Sequence, residues 1–541
     1  MEFNLADLFE CVVDAVPERE ALICEDTRLT YAELDKRANR LAHALTKAGV
    51  KQGDHIGLHQ YNGIEYMEGV LAAFKIRAVP INVNFRYVEE ELYYLFDNAD
   101  LVGIIHHQEF GPRIAGVAER LPALKTFIAV EDGSGADCSA IGSLNYEDEL
   151  ADASDARDFP ARSADDIYIL YTGGTTGMPK GVMWRHEDLF FAALMGGNPY
   201  GAPPERPEQV GENAAAGQVF TALPAAPLMH GAAQWAAMIY LFSGGKVVLT
   251  TGTGFDAEKI WGLVEKEKVQ SMAIVGDAMG RPLADALAKP GASYDTSSLI
   301  VIGSGGATYS EGVKAQLREH LPNIMLMDSF GGSEGGNQGR GVEATKGQAG
   351  PRFSNDGTSA VLDENMKPLP PGTGKIGMLA RKGRLPLGYY KDAKKTAEVF
   401  IEADGTRWVV AGDMATIEAD GTITLLGRGS NCINTGGEKV FPEEVEAALR
   451  SHAEVFDAIV VGVPDERFGE RVAAVVAPRE GTTPTLEGLV EHCRTHVAGY
   501  KVPRELHLVD QIQRQPSGKP NYKWAKAVAL GETAGATGGA S

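Results

Sequence analysis

Short apolar runs alternate with amphipathic helical stretches along most of this chain, and that rhythm restricts the folds open to it. Leu5, Leu8, Phe9, Val12, Val13 and Val16 repeat at helical spacing. Thr30 and Glu33 form a capping-box pattern ahead of Leu34, Ala38, Leu41 and Leu45, and Gly49 stops that helix. A strand-like His55-Ile-Gly-Leu58 follows, then a helix over 64–74, a strand over 78–83, a helix over 88–95 and a strand over 101–105. Runs at 247–250, 271–275 and 299–302 continue the pattern as buried strands between helices. Such alternation predicts parallel sheets covered by helices on both faces, an α/β fold. Residues 132–158 are acidic and irregular, and residues 199–218 are rich in Pro, Gly and Glu. Both read as surface excursions. Beyond about residue 427 the texture changes to compact α+β, with helices over 442–451 and 486–496 and strands over 458–461 and 472–476. The expected organisation is a large domain over 1–427, a small mobile domain over 428–529 and a disordered Gly/Ala/Thr-rich tail over 530–541.

One loop carries chemistry. Ile167-Tyr-Ile-Leu170 delivers Tyr171-Thr-Gly-Gly-Thr-Thr-Gly-Met-Pro-Lys-Gly181 to the surface. Gly173, Gly174 and Gly177 let consecutive backbone N–H groups turn toward one point. Thr172, Thr175 and Thr176 add hydroxyl donors and Lys180 adds a positive charge. A loop that offers only donors suits a polyphosphate. The G-x-x-x-x-G-K-[ST] spacing fails, and the G-x-G-x-x-G spacing is also absent.

The loop resembles the phosphate-binding loop of the adenylate-forming superfamily, which contains acyl-CoA synthetases, nonribosomal-peptide adenylation domains and luciferases. Asp328-Ser-Phe-Gly-Gly-Ser-Glu334 supports that resemblance. It contains the G-x-S-x-G pattern of an esterase elbow, but the following Gly335-Gly-Asn-Gln-Gly-Arg-Gly cannot make the helix an elbow needs. Within the family the same stretch holds the nucleotide. The resemblance implies that Phe330 stacks on adenine, that Asp328 faces its amino edge with Ser329, Gly331 and Ser333 around it, and that Glu334 holds Mg2+, with Thr175 on the same ion. Gly303-Ser-Gly-Gly-Ala-Thr308 resembles the family's floor to the adenine and acyl pockets, placing Gly306 and Ala307 at the nucleotide. Pro224-Ala-Ala-Pro-Leu-Met-His-Gly231 sets His230 ahead of a helix, and the resemblance implies that His230 lies beside the acyl carboxylate.

Further motifs follow in family order. Trp408-Val-Val-Ala-Gly-Asp-Met414 keeps the ribose-binding Asp413 but has Val410-Ala411 for the usual Arg-Thr. Arg428 of Gly427-Arg428 would bond the ribose from the other side. Ser430 stands at the hinge position, usually Asp or Lys, and Gly436-Gly437 resembles the loop lining the pantetheine channel. Gln515-Pro-Ser-Gly-Lys519 places Lys519 where the family's lysine meets the carboxylate and the α-phosphate.

The resemblance implies two steps: a carboxylic acid displaces pyrophosphate from Mg-ATP, then the small domain rotates and coenzyme A takes the acyl group. ATP, Mg2+ and coenzyme A are the implied cofactors. Gly181-Val-Met-Trp-Arg-His-Glu-Asp188 and Asn434-Thr-Gly-Gly-Glu-Lys-Val-Phe441 look most like actinobacterial synthetases for long fatty acids or sterol side-chain acids, implying a large apolar acid. Two alternatives remain: a ligase that loads a carrier protein, and an inert nucleotide-binding regulator. A net charge of −22 opposes nucleic acid and anionic membrane surfaces. No apolar run reaches the ~18 residues of a membrane span, no signal peptide is recognised, and the five scattered cysteines show no metal or disulfide spacing. These features suggest a cytoplasmic protein. Peripheral contact with a membrane and a homodimer are both compatible with the sequence.

Overall fold

The computed structural model describes residues 1–172, 178–199, 201–342, 351–435, 438–465, 468–515 and 519–532. Among them, an eight-stranded sheet runs Gly388–Tyr389, Lys180–Arg185, Ile167–Thr172, Val79–Asn82, His55–His59, Leu101–His107, Thr126–Val130, Leu144–Asn145. From Ile167–Thr172 onward its neighbours are parallel. Lys180–Arg185 returns antiparallel as a hairpin arm, and Gly388–Tyr389 pairs antiparallel with that arm. His55–His59 and Val79–Asn82 are buried at every position, as expected for parallel strands covered on both faces.

A second sheet joins Glu20–Cys24, Lys246–Leu249, Thr221–Pro224, Ser271–Ile274, Val301–Gly305 and Met325–Gly332 in parallel. The helices Ile64–Lys75 and Gly231–Phe242 pack between the two sheets, and one continuous apolar core includes residues from both. The Thr30 capping box forms: the Thr30 N–H donates to Glu33 Oε2 at 2.8 Å and the Glu33 N–H donates to Thr30 Oγ1 at 3.2 Å.

Three sequence expectations need correction. Residues 132–158 include the helix Tyr146–Ala151, capped by Asn145. Tyr146 is buried there and donates its hydroxyl to buried Glu68 at 2.5 Å, so the segment is anchored at this point. Residues 199–218 include the helix Gln209–Ala216, which docks on Leu5–Ala15. A β-carbon on Gly211 would fall 2.5 Å from the Cys11 carbonyl, so the absence of a side chain permits the approach. The strand expected at 299–302 begins later, at Val301.

From Gly336–Val342 the second sheet turns antiparallel and continues through Arg352–Phe353, Ile423–Arg428, Asp413–Ile417 and Gly377–Arg381 to Thr406–Val409 and Phe400–Ala403. This antiparallel layer departs from the βα rhythm. A separate five-stranded sheet begins at Ile433–Thr435 and is dominated by the hairpin Val455–Asp465 and Gly469–Pro478. Pro442–Arg450, Leu486–Arg494 and Tyr522–Ala529 are the helices of that C-terminal unit. Residues 530–532 hydrogen-bond back onto the last helix. The remainder of the expected tail lies outside the described residues. Among the described residues, no helix is long and apolar enough to cross a membrane.

Candidate functional site

The Gly/Thr loop springs from the hairpin Ile167–Thr172 and Lys180–Arg185, whose register sets Thr172 opposite Lys180. Gly173, Gly174, Thr175, Thr176 and Gly177 lie outside the described residues, so the structure describes the loop's mouth. The Lys180 ammonium pairs with the carboxylate of Asp392, the residue that caps the helix Ala393–Val399. That bond comes first among the influences holding the Asp392 carboxyl below its ordinary range.

The return arm of the hairpin serves as a mount for two further segments. Trp184 is fully buried and its indole N–H donates to the Ser333 carbonyl at 3.0 Å. On the arm's outer edge Tyr389 lies opposite Val182, and its hydroxyl donates to Glu334 Oε1 at 2.9 Å. The Gly332–Glu334 turn is therefore held from two directions by side chains of one local sheet. Sequence reasoning missed Trp184, Tyr389 and Asp392. The first two carry no local pattern, and Asp392 reads only as a helix cap.

Asp328 and Phe330 sit on Met325–Gly332. Asp328 is engaged by Lys314 at 2.6 Å, and Lys314 also reaches Glu311 at 2.7 Å. Burial raises the Asp328 carboxyl above its ordinary range against the opposing charge of Lys314. Phe330 packs on Phe353, ring centroids 5.2 Å apart. Ser329 and Gly331 are exposed beside them. Gly306 takes a φ of +83° and has nothing within 4 Å of the site a β-carbon would fill. His230 precedes the helix Gly231–Phe242 at its N-cap position, and its carbonyl accepts from the Gln234 N–H at 3.1 Å.

The C-terminal unit supplies Lys519. Burial depresses its ammonium below the ordinary lysine range, the Arg428 charge adds to that, and Glu334 and Asp413 oppose it. Arg428 Nε lies 3.0 Å from Asp413 Oδ1, and its guanidinium also donates to the Ala411 carbonyl at 3.2 Å. Burial raises the Asp413 carboxyl even though Arg428 and Lys519 both act to lower it. Lys519 and Asp413, both largely withdrawn from solvent, thus sit within electrostatic reach of Glu334 and of the partly exposed Arg428. Gly436 and Gly437 lie outside the described residues, and Ser430 sits in a short 3-10 turn after Arg428.

The model for AMP-binding enzymes matches residues 9–390, and that for the AMP-binding enzyme C-terminal domain matches residues 444–519. The chain belongs to the AMP-binding enzyme family. The chain is 50% identical over 535 residues to a 3-oxocholest-4-en-26-oate–CoA ligase of Rhodococcus rhodochrous, covering 97% of this chain and 96% of that one. It is 50% identical over 536 residues to a medium/long-chain-fatty-acid–CoA/3-oxocholest-4-en-26-oate–CoA ligase of Mycolicibacterium smegmatis, covering 98% and 97%. Among solved structures, an anthranilate CoA ligase in complex with anthranoyl-AMP superposes with a TM-score of 0.83 at 23% identity, covering 98% of both chains. That likeness shows the adenylate-forming fold. In this AMP-binding enzyme the matched C-terminal region ends on Lys519 itself.

Proposed function

We propose that this AMP-binding enzyme is an acid–thiol ligase that converts a large apolar carboxylic acid to its coenzyme A thioester through an acyl-AMP intermediate. The convergence of Lys519 with Asp413, Arg428 and Glu334 carries this reading. A carboxylate and the α-phosphate repel each other until a cation stands between them, and a desolvated lysine supplies that cation where its field is least screened. In the first step an oxygen of the carboxylate attacks the α-phosphorus and pyrophosphate leaves. In the second the thiol loses its proton to solvent, its sulfur attacks the acyl carbon, and the bond from that carbon to the phosphate oxygen breaks with its pair leaving on AMP.

Asp413 accepts the ribose hydroxyls with Arg428 beside it, Phe330 offers a face to adenine, and Thr172 and Lys180 hold the phosphates with the intervening loop. Lys180 must exchange Asp392 for phosphate. Among the described residues no cluster of three or more His, Cys, Asp or Glu side chains could hold a metal alone. Magnesium bound largely through phosphate oxygens needs only one or two hard carboxylates, and Glu334 fits that demand. The ion supplies charge neutralisation for departing pyrophosphate.

The long-chain and steroid side-chain acids named for relatives at half identity support a substrate of that class, and His230 is the residue we assign beside its carboxylate. AMP release dependent on ATP, coenzyme A and an acid tests the reading across a panel of long-chain fatty acids, a 3-oxo sterol side-chain acid, acetate and amino acids. Turnover confined to acetate or amino acids overturns the substrate class. Acyl-adenylate formed but never passed to free coenzyme A would favour a carrier-protein acceptor.

A further inference from the structure

Asn82 ends a strand of the eight-stranded sheet and is buried to 7% exposure. Among the described residues, its strand and Ile167–Thr172 share a single register pair, Ile81 opposite Ile169. Beyond that point Asn82 stays opposite Leu58 on its other neighbour, and its side chain takes over the bonding to Tyr171. Oδ1 accepts from the Tyr171 N–H at 2.8 Å and Nδ2 donates to the Tyr171 carbonyl at 2.9 Å. The carboxamide thus stands in for a strand backbone on the residue immediately before Thr172. The remaining Nδ2 hydrogen donates to the Met229 carbonyl at 2.7 Å, on the residue immediately before His230. A primary amide has two donors and one carbonyl, and all three are used.

One buried side chain therefore ties the root of the phosphate loop to the turn that presents His230, although the two belong to different sheets. Asn62 makes a partial comparison. It accepts from the Leu228 N–H at 2.7 Å and donates to the Ala226 carbonyl at 3.3 Å. It holds the turn and not the loop.

We propose that Asn82 is a positioning residue that fixes the separation of Tyr171, at the root of the phosphate loop, from the His230 turn, and so the alignment of the acid with the α-phosphate. This rests on the assignment of those two segments under the proposed function. Aspartate at this position would meet two carbonyl oxygens with no hydrogen to offer, and alanine would leave all three backbone groups unpaired. A misplacement of about 1 Å between reacting groups costs on the order of a hundredfold in rate.

The test separates the half-reactions. Pyrophosphate exchange dependent on the acid, thioester formation from synthetic acyl-AMP, and the thermal midpoint are measured for wild type, Asn82→Ala, Asn82→Ser and Asn62→Ala. We expect Asn82→Ala to lose about a hundredfold in exchange kcat while thioester formation stays within about threefold. Asn82→Ser, with one hydroxyl, should fall between Asn82→Ala and wild type, and it serves if Asn82→Ala does not fold. Equal loss of both half-reactions in step with a lowered thermal midpoint, unchanged exchange, or a loss no greater than that of Asn62→Ala overturns the proposal. A wild-type protein that performs no exchange with any acid overturns the proposed function instead.

Discussion

The phenolic hydroxyl of Tyr389 lies 2.9 Å from Oε1 of Glu334, donating to it from the strand that edges the phosphate-loop hairpin. A carboxylate held on one oxygen keeps its orientation while the other oxygen faces an incoming cation. Tyr389→Phe keeps the ring and removes the donor. It should raise the Mg2+ concentration for half-maximal pyrophosphate exchange several-fold, with little change in the KM for the acid. Titrating Mg2+ at fixed ATP measures this, and binding of a Mg2+-nucleotide by calorimetry gives a readout independent of turnover.

Lys519→Ala removes the cation we propose to lie between the two anions. Adenylation should drop by about two to three orders of magnitude, the scale of losing one preorganised electrostatic group. Thioester formation from synthetic acyl-AMP should stay within a few-fold, because that step does not bring carboxylate and phosphate together. Single-turnover assays of each half-reaction distinguish the two.

Glu443 opens the helix Pro442–Arg450 and accepts from the Arg428 N–H at 3.4 Å. Burial, with added repulsion from Glu446 on its own helix and Asp413 across the contact, pushes it up to about 8. Cys432 and Tyr522 also feel its charge. A carboxyl raised in the packed state stays protonated there after the solvated form, near ~4.3, has ionised. The packed contact is therefore at full strength in acid and weakens as pH rises from that value to about 8. Glu443→Gln should flatten that part of the pH–stability curve and raise the urea midpoint at neutral pH. Urea unfolding followed at several pH values checks the slope.

Lys75 has no exposed surface, and its ammonium bonds Glu10 at 2.6 Å and Asp35 at 2.7 Å. Removing one partner of a buried ionic group strands the others. Lys75→Met should cost about 3–5 kcal/mol of stability, seen as a lower urea midpoint. KM for ATP should change little in the protein that remains folded.

The elements that could be read from sequence are those with a local signature. The helical repeat of Leu5 through Val16, the Thr30–Glu33 cap and the apolar runs around Ile56 and Ile169 each specify structure within a few neighbours. The charged site residues could be nominated because their motifs follow a family order. Partners joined by long-range bonds could not be found this way. Asn82 meets Met229 across 147 positions, Trp184 meets Ser333 across 149, and Lys180 meets Asp392 across 212. No periodicity encodes such pairings. Residues 199–218 misled for another reason: small and polar residues suggested solvent, whereas Gly211 uses its missing side chain to let a helix settle against Cys11.

The two anchors from the hairpin arm, Trp184 to Ser333 and Tyr389 to Glu334, have a consequence for altering this enzyme. The proposed magnesium carboxylate is anchored from the hairpin side, whereas the turn we assign to the acid follows a strand of the other sheet. Redesign of the acid preference around His230 can therefore leave the Glu334 mount untouched, provided the Asn82 amide is kept in place.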